Sequence, residues 1–279
     1  MKEGFIHDLV GSVKMKISKH GDIEVVKMSV NPLFRVMDIY LYFMDGLLVD
    51  TGPSIRKRGL IPIFKSWDIE QIALTHHHED HAGMASWLAE HTDATIFGHE
   101  KTIELVNKRA QLPWYRKLFS GPRDAFQASV YPQVIQTGKY EFYPIETPGH
   151  TDDHVSLFEP NQGWLFTGDL YITPYPKVFL KEESMNAYIE SIEKLQQLDY
   201  QTIFCAHEGV ITTGKQMMDY KLDYLKGLKN EVIRLHQLGL SDQAIIKTLF
   251  PKQVKLEQIT FGSFSRLHLV RSCYMDEKV

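Results

Sequence analysis

The sequence predicts an α/β fold with its chemistry placed at the ends of strands. Short apolar runs alternate with helical segments between residues 47 and about 98, and the alternation returns between residues 154 and 206. Several of the apolar runs end in a histidine or an aspartate. Open α/β sheets bind ligands outside the carboxyl ends of their strands, so these side chains are candidate site residues.

Strands dominate the first half of the chain. Apolar runs predict short strands over residues 23–28, 39–43, 47–50 and 72–74. Asp45-Gly46 is a hairpin turn signal between two of them. A helix is predicted from Ala82 onward, directly after the last of these strands and a polar segment.

The second half of the chain adds more strands and then a helical end. Strands are predicted within residues 130–146 and over residues 154–158, 163–168 and 202–206, with a helix near residues 184–198. A helical period follows in Leu222, Leu225, Leu228, Val232 and Leu235. Leu238-Gly239-Leu240-Ser241-Asp242 ends that helix and caps the next. We therefore predict a main domain over residues 1–214 and a helical C-terminal appendage over residues 215–279.

Composition and charge narrow the class of protein. The chain has 279 residues, of which 43% are hydrophobic and 24% charged, with a formal net charge of −4. That balance does not indicate a nucleic-acid binder, and no apolar run is long enough to cross a membrane. The start of the chain carries acids and lacks an apolar core segment, so no signal peptide is predicted. Cys205 and Cys273 are expected to be free thiols in a reducing cytoplasm, with Cys205 buried and inert.

The strongest chemical signal is a six-residue segment, His-His-His-Glu-Asp-His, after the strand at 72–74. It fits the pattern His-x-His-x-Asp-His, and its metal-ligating side chains are His76, His78, Asp80 and His81. Imidazole nitrogens and carboxylate oxygens suit zinc and other first-row metals. The variable positions, His77 and Glu79, are expected to point away. A chance polar turn is the alternative, and polar loops seldom follow this pattern.

Further ligating side chains follow, one at a time. His150 lies in a Pro-Gly turn, while Asp169 and His207 each end an apolar strand. Asp50 ends the strand at 47–50, where it could also cap the following turn. Taken singly these residues could be caps or turn residues. Taken as a set, they indicate one site positioned by a rigid sheet.

In order, Asp50, the segment at 76–81, His150, Asp169 and His207 resemble the five motifs of the metallo-β-lactamase superfamily. The resemblance covers roughly residues 20–210 and includes each ligand position. It implies a four-layer αββα sandwich of two mixed β-sheets, face to face, with helices outside.

The resemblance also implies a site for two divalent metal ions, Zn²⁺ first, with Mn²⁺ or Fe²⁺ as alternatives. His76, His78 and His150 would hold one ion. Asp80, His81 and His207 would hold the other, and Asp169 would bridge the two. Asp50 would orient a ligand from behind, so Asp50, Asp80 and Asp169 are the carboxylates assigned to catalysis. A hydroxide shared between the ions would be the nucleophile.

Short sequence motifs distinguish the branches of this superfamily. Thr147-Pro148-Gly149-His150-Thr151 is similar to glyoxalase II, and its extension through Asp152-Asp153-His154 is closer to the lactamase-β-like branch, which includes endoribonucleases with a helical appendage. That branch has Gly-Pro after its last histidine, whereas His207 is followed by Glu208-Gly209. Oxygen-reducing di-iron members look like His-x-Glu-x-Asp-His, and the best-known zinc β-lactamases lack an acid at the position of Asp169, so both are disfavoured.

Three functions follow. The first is a dinuclear hydrolase of an ester, thioester or lactone with a small, anionic substrate. The second is a phosphodiesterase or endoribonuclease, which would need a basic surface from Lys108, Arg109, Arg116, Lys117 and Arg123. The third is a ligand-binding protein on the same fold, and a persulfide chemistry at a single iron is a minor fourth.

Substrate contacts are expected from residues 100–128 and from the appendage. The appendage candidates are Tyr220, Lys221, Tyr224 and Arg266. Within residues 100–128, the aromatic side chains Trp114, Tyr115 and Phe119 would suit a substrate wall or a homodimer contact.

Overall fold

The computed structural model describes residues 4–6, 15–29 and 37–275 and shows two mixed β-sheets. The first sheet has eight strands, which lie side by side in chain order. They are β1 (Gly4–Ile6), β2 (Met15–His20), β3 (Ile23–Ser29), β4 (Asp38–Met44), β5 (Leu47–Val49), β6 (Gln71–Ala73), β7 (Thr95–Gly98) and β8 (Ser129–Val130). Strands β1 to β5 pair antiparallel, and β5 to β8 pair parallel.

The second sheet has six strands in the order β14-β13-β12-β11-β10-β9. They are β9 (Ile135–Gln136), β10 (Glu141–Glu146), β11 (Val155–Glu159), β12 (Trp164–Gly168), β13 (Thr202–Cys205) and β14 (Gly209–Ile211). Among these six described strands, only β12 and β13 pair parallel. Parallel neighbours present their carboxyl ends at the same edge, so the residues after β12 and β13 lie together.

Helices cover the outer face of each sheet. They are α1 (Lys57–Ser66), α2 (Glu79–Ala82), α3 (Ala85–His91), α4 (Glu100–Val106), α5 (Trp114–Ser120), α6 (Met185–Gln196), α7 (Gly214–Gln237), α8 (Asp242–Leu249), α9 (Lys255–Ile259) and α10 (Arg266–Met275). A short 3₁₀ turn, Ser54–Arg56, precedes α1. None of the helices in the described ranges is long and apolar enough to cross a lipid bilayer.

Alternation along the strands builds three cores and therefore four layers. In β3, Val25 faces the core between the sheets, while Val26 faces the core under α1 and α3. In β13, Phe204 faces the central core, while Ile203 faces the core under the later helices. Successive strand side chains point to opposite faces, so strands covered on both sides are apolar throughout. The predicted αββα sandwich is confirmed.

The predicted elements are found with small shifts. The strand region at 130–146 divides into β8, β9 and β10, because turns interrupt it. The helix expected from Ala82 is divided: one turn, α2, covers Glu79–Ala82, and the longer helix α3 begins at Ala85. The amide groups of His81 and Ala82 donate to the His78 carbonyl, which starts the turn inside the polar segment.

The helical end of the chain packs directly on the second sheet. Met218 and Leu225 of α7 share one core with Leu165 of β12 and Ile203 of β13. The division at residue 214 stays a prediction, since this core spans it. Residues 1–3 and 7–8, on which the signal-peptide expectation depends, and residues 276–279 of the appendage lie outside the described ranges.

Phe166→Ala tests the core between the sheets. The Phe166 side chain is fully buried, and its ring stacks on Phe204 with centroids 4.5 Å apart. We expect the free energy of unfolding to fall by about 3–5 kcal/mol, because a large cavity is left behind. Urea unfolding with a chelator present measures it without a contribution from bound metal.

Leu238→Ala is the matched control, since Leu238 is 64% exposed. Its unfolding free energy should change by less than about 0.5 kcal/mol. Equal losses in the two variants would mean that Phe166 does not fill a packed core.

Candidate metal centre

Loops from both sheets bring seven ligating side chains to one edge of the sandwich. One group consists of His76, His78, His150 and Asp169, and a second consists of Asp80, His81 and His207. Within each group the ligating atoms all lie within 4.8 Å of one another. These are all seven residues to which the sequence assigned metal binding, and the structure brings them together.

Parallel pairing explains why the site lies at this edge. Asp50 directly follows β5, and the segment with His76 follows its parallel neighbour β6. In the second sheet, Asp169 directly follows β12, and His207 follows its parallel neighbour β13. Two backbone hydrogen bonds join the sheets here: Val155 N donates to the Thr75 carbonyl at 2.8 Å, and Tyr40 N donates to the Ala206 carbonyl at 2.8 Å.

Asp169 lies between the two groups, with one oxygen toward each. Its Oδ2 is 3.2 Å from His150 Nε2 and 4.0 Å from His76 Nε2. Its Oδ1 is 3.0 Å from His207 Nε2 and 3.2 Å from His81 Nε2. Asp80 completes the second group, with Oδ2 3.8 Å from His207 Nε2. This arrangement suits a carboxylate shared by two cations.

Several buried atoms at the centre of the cluster have no hydrogen-bond partner among the described residues. They are Nε2 of His76, His81 and His207 and Oδ1 of Asp169. The close approaches of Asp169 Oδ1 therefore lack hydrogen-bond geometry. Buried polar atoms nearly always have a hydrogen-bond partner. A group of buried nitrogen and oxygen atoms that lie close together without such partners therefore fits a site for metal ions.

Asp50 and Thr75 hold the ring of His81. Asp50 Oδ2 lies 2.8 Å from His81 Nδ1, so that nitrogen carries the proton and Nε2 is left for a metal. Thr75 N donates to Asp50 Oδ1 at 2.8 Å, and the Thr75 hydroxyl donates to Oδ2 at 2.9 Å. Asp50 has a backbone φ of +57°, a conformation that aspartate tolerates better than most residues.

Two further histidines are held in the same way. His150 Nδ1 lies 2.9 Å from Glu183 Oε1, and Tyr188 Oη donates to the same oxygen at 2.8 Å. His207 Nδ1 donates to the Asp38 carbonyl at 2.8 Å. Each contact turns Nε2 toward the cluster, where that of His150 lies 3.1 Å from His78 Nδ1. Sequence reasoning missed Glu183 and Asp38, since each lies more than thirty residues from the histidine it orients.

His154 holds the backbone of Asp169. The Asp169 amide donates to His154 Nε2 at 3.1 Å, so the His154 proton lies on Nδ1, which is 2.9 Å from the Thr147 hydroxyl. Burial lowers the pKa of His154 to about 3, so the ring stays neutral. Gly168 has a φ of +45°, and a Cβ there would lie 2.6 Å from His154 Nε2, which leaves room for glycine alone.

The Asp169 carboxylate and the surrounding histidines shift one another's pKa values. Burial raises the pKa of Asp169, but the neighbouring His207, His81 and His150 outweigh it and hold that pKa well below its usual range. Burial lowers the pKa of His207, but the Asp169 carboxylate reverses the shift, so the net pKa lies above the ordinary value. For His76, burial and the nearby His81 lower the pKa well below its ordinary value. A neutral imidazole is the form that binds metal.

The two variable positions of the cluster face away from its centre. His77 Nδ1 lies 2.9 Å from Asp153 Oδ1. Glu79 is buried and accepts two hydrogen bonds from the Arg116 guanidinium, at 2.7 and 2.6 Å. Arg116 thereby ties α5 to the metal-ligating segment.

A cavity of about 190 Å³ opens beside the cluster. His78, Asp80, His150 and Asp169 form part of its wall. Residues 100–128 contribute further wall residues, namely Tyr115, Arg116, Phe119 and Ser120. Of the appendage candidates, Lys221 lines the cavity and donates to the Leu170 carbonyl at 2.6 Å.

The other three appendage candidates face elsewhere. Tyr220 is 44% exposed, Tyr224 donates to the Pro176 carbonyl at 2.9 Å, and Arg266 pairs with Glu257 at 2.7 Å. None of them is among the residues that line the cavity. Cys205 is fully buried, and burial raises the pKa of its thiol to about 12, which agrees with an inert side chain.

Comparisons with known proteins agree on one family. The metallo-β-lactamase superfamily matches residues 42–207, which is more than half of the chain. A protein of Bacillus subtilis (strain 168) named "Probable metallo-hydrolase YqjP" is 24% identical over 88% of this chain and 91% of its own length. A hydroxyacylglutathione hydrolase of Legionella pneumophila (strain Lens) is 31% identical over 67% of this chain and 69% of its own.

Solved structures show the same fold. A β-lactamase domain protein from Burkholderia ambifaria superposes with a TM-score of 0.69 at 17% identity, covering 91% of this chain and 86% of its own. A metallo-β-lactamase family protein from Thermus thermophilus gives a TM-score of 0.65 at 17% identity, with 91% of each chain covered.

Asp169→Ala tests whether this carboxylate holds the two groups together. We expect bound metal to fall from about two ions per chain to one or fewer, and hydrolysis to fall at least about 1,000-fold, because the shared ligand is lost. Elemental mass spectrometry and ester turnover measure the two effects, and far-ultraviolet circular dichroism checks the fold. Asp152→Ala is the control, since that side chain is 83% exposed. Full turnover in Asp169→Ala would contradict a shared site.

Glu183→Gln tests the support behind His150. The amide keeps the shape of the side chain but weakens its hold on the His150 Nδ1 proton, so we expect metal affinity to fall about 10- to 100-fold. Competition with a chromogenic chelator measures the affinity. Glu182→Gln, at an exposed neighbouring position, should retain the wild-type value. If both variants bound metal equally well, Glu183 would not orient the ligand.

Proposed function

The chain belongs to the metallo-β-lactamase superfamily, and we propose that this metal-dependent hydrolase uses two divalent ions to cleave an ester, thioester or lactone bond. The observation that carries the proposal is the position of Asp169, which offers one oxygen to each group of ligands. A complete set of ligands with unsatisfied buried atoms also supports an enzyme over a ligand-binding protein that retains only the fold.

The ligands divide between the two ions. His76, His78 and His150 would hold one, and Asp80, His81 and His207 the other, with Asp169 shared. The nitrogen and oxygen set suits Zn²⁺ and also accepts Mn²⁺ or Fe²⁺. When bound, the ions would lower the pKa of an attacking water and polarise the scissile carbonyl. Both cysteines are buried thiols, which agrees with a reducing compartment such as the cytoplasm.

Residues behind the ligands fix their geometry during the reaction. Asp50 holds the proton on His81 Nδ1, and Glu183 holds the proton on His150 Nδ1. His154 fixes the backbone of Asp169 by accepting its amide hydrogen. Rigid ligands need no reorganisation when charge develops on the substrate, which is the main source of catalysis in such sites.

The surroundings of the site favour a carbonyl substrate over a phosphodiester. Three of the five cations that a basic surface would need are already engaged. Arg116 is paired with buried Glu79, and Arg123 is buried and donates to the Leu105 carbonyl at 3.0 Å. Arg109 pairs with Asp124 at 3.0 Å. The relatives named hydroxyacylglutathione hydrolase act, by that name, on a thioester, which supports the same class of bond.

Turnover of three chromogenic probes tests the proposal. The metal-loaded protein should hydrolyse 4-nitrophenyl acetate and an acyl thioester with kcat/KM at least about ten-fold above that for bis(4-nitrophenyl) phosphate, because the arginines that could hold a second ester oxygen are already paired or buried. Chelation should remove all three activities. Preference for the phosphodiester would favour nuclease chemistry, and no turnover of any probe would favour a binding protein.

A further inference from the structure

The wall of the cavity beside the metal ligands is mostly apolar. Its apolar side chains come from several separate segments: Tyr115 and Phe119 of α5, Ile172, Val178 and Phe179 of the loop before α6, and Leu256 and Phe264 near α9. A substrate whose scissile bond reaches the metals must therefore pass along hydrocarbon and aromatic surface. Ligand pockets of this type bind an apolar group and orient it with a few polar contacts.

Most charged groups on the wall already have partners. Arg116 pairs with Glu79 at 2.6 Å, and Glu183 contacts His150 and Tyr188. Lys221 donates to the Leu170 carbonyl and lies over the Tyr188 ring, 4.7 Å from its centroid. Lys177 is exposed on the same wall.

The apolar wall continues onto the surface as an aromatic rim, which we define as Trp114 and Phe261. Their side chains are 64% and 70% exposed, and their ring centroids lie 5.3 Å apart. Phe261 also lies 6.4 Å from the ring of Tyr115, which lines the cavity. The rim and the wall are therefore one continuous apolar surface.

Phe261 ends helix α9 in a Schellman cap: its amide donates to the Gln258 carbonyl at 3.2 Å, and the Gly262 amide donates to the Glu257 carbonyl at 2.9 Å. Phe261 has a φ of +53°, a conformation that is rare for a bulky aromatic residue. Exposed aromatic side chains also lose the favourable burial that such side chains usually gain. Exposed aromatic rings in contact with a residue of the cavity wall are typical of a ligand-binding surface.

We propose that the cavity and the aromatic rim bind the apolar chain of the substrate, so that this protein acts on esters or thioesters of medium- to long-chain acyl groups. The proposal rests on the hydrolase function proposed above and names its substrate class. The chain would run from the scissile carbonyl, at the wall formed by His78, Asp80, His150 and Asp169, past Tyr115 to Trp114 and Phe261. Water adds to the carbonyl carbon, the acyl–oxygen or acyl–sulfur bond breaks, and the products are the carboxylic acid and the alcohol or thiol.

A chain-length series tests the proposal on the metal-loaded protein. The probes are 4-nitrophenyl esters with acyl chains from acetyl to dodecanoyl, used below their micelle concentrations. We expect kcat/KM to rise about three-fold for each added methylene until the cavity and rim are filled, because each buried methylene removes apolar surface from water. A profile that is flat or falls with chain length would overturn the proposal.

Substitutions at the two rim residues test whether their rings cause the dependence of kcat/KM on chain length. In Trp114→Gln and Phe261→Asn, the ratio of kcat/KM for dodecanoyl to acetyl ester should fall about ten-fold, since each removes a large apolar contact. Asparagine tolerates the positive φ at residue 261, which keeps the backbone unchanged. Leu238→Ser removes an equally exposed apolar side chain outside the cavity and should keep the wild-type ratio.

The binding of ligands that cannot be hydrolysed tests the apolar site independently of the hydrolase function. Methyl ketones from butanone to dodecan-2-one carry the acyl chain but no leaving group, and calorimetry should show affinity that rises with chain length. Rising ketone affinity without any ester hydrolysis would overturn the hydrolase function and leave the apolar site. Ketone affinity that is independent of chain length would overturn the apolar site.

Sedimentation tests whether the rim is instead a contact between two copies of the chain. A wild-type dimer that dissociates in Trp114→Gln, with an unchanged dependence of kcat/KM on chain length, would assign the rim to that contact.

Discussion

The Asp169 carboxylate, buried between two groups of ligands, is the constraint on which the rest of the structure depends. One oxygen lies 3.2 Å from His150 and the other 3.0 Å from His207, and no residue in the described part of the chain gives Oδ1 a hydrogen bond. Such a cluster is unfavourable without cations, since unsatisfied buried groups cost free energy. The sandwich must therefore hold these side chains rigidly while giving them no partner of their own.

The two sheets position these side chains by bringing the ends of their strands together. Parallel pairing within each sheet places Asp50 beside the 76–81 segment and Asp169 beside His207. Contacts behind the ligands then set each ring, through Asp50, Glu183 and the Asp38 carbonyl. The apolar core between the sheets fixes the distance between the two halves of the site. Stability and chemistry thus depend on the same packing.

Local signals explain what could be predicted from the sequence. The His-x-His-x-Asp-His segment, each apolar strand and the ligand that follows it each span only a few residues, so pattern alone identifies them. The rest depends on contacts between distant residues. Glu183 lies 33 residues from His150, and Arg116 lies 37 residues from Glu79. Periodicity identified α7 as a helix, but packing determines that Lys221, and not Tyr220 or Tyr224, lines the cavity.

Anomalous X-ray diffraction from crystals of the zinc-loaded protein would show whether two metal ions share Asp169. We expect two anomalous peaks at the zinc absorption edge. One should lie against His76, His78 and His150, and the other against Asp80, His81 and His207, with the Asp169 carboxylate between them. A single peak at full zinc occupancy, or peaks only at sites away from these residues, would contradict this arrangement.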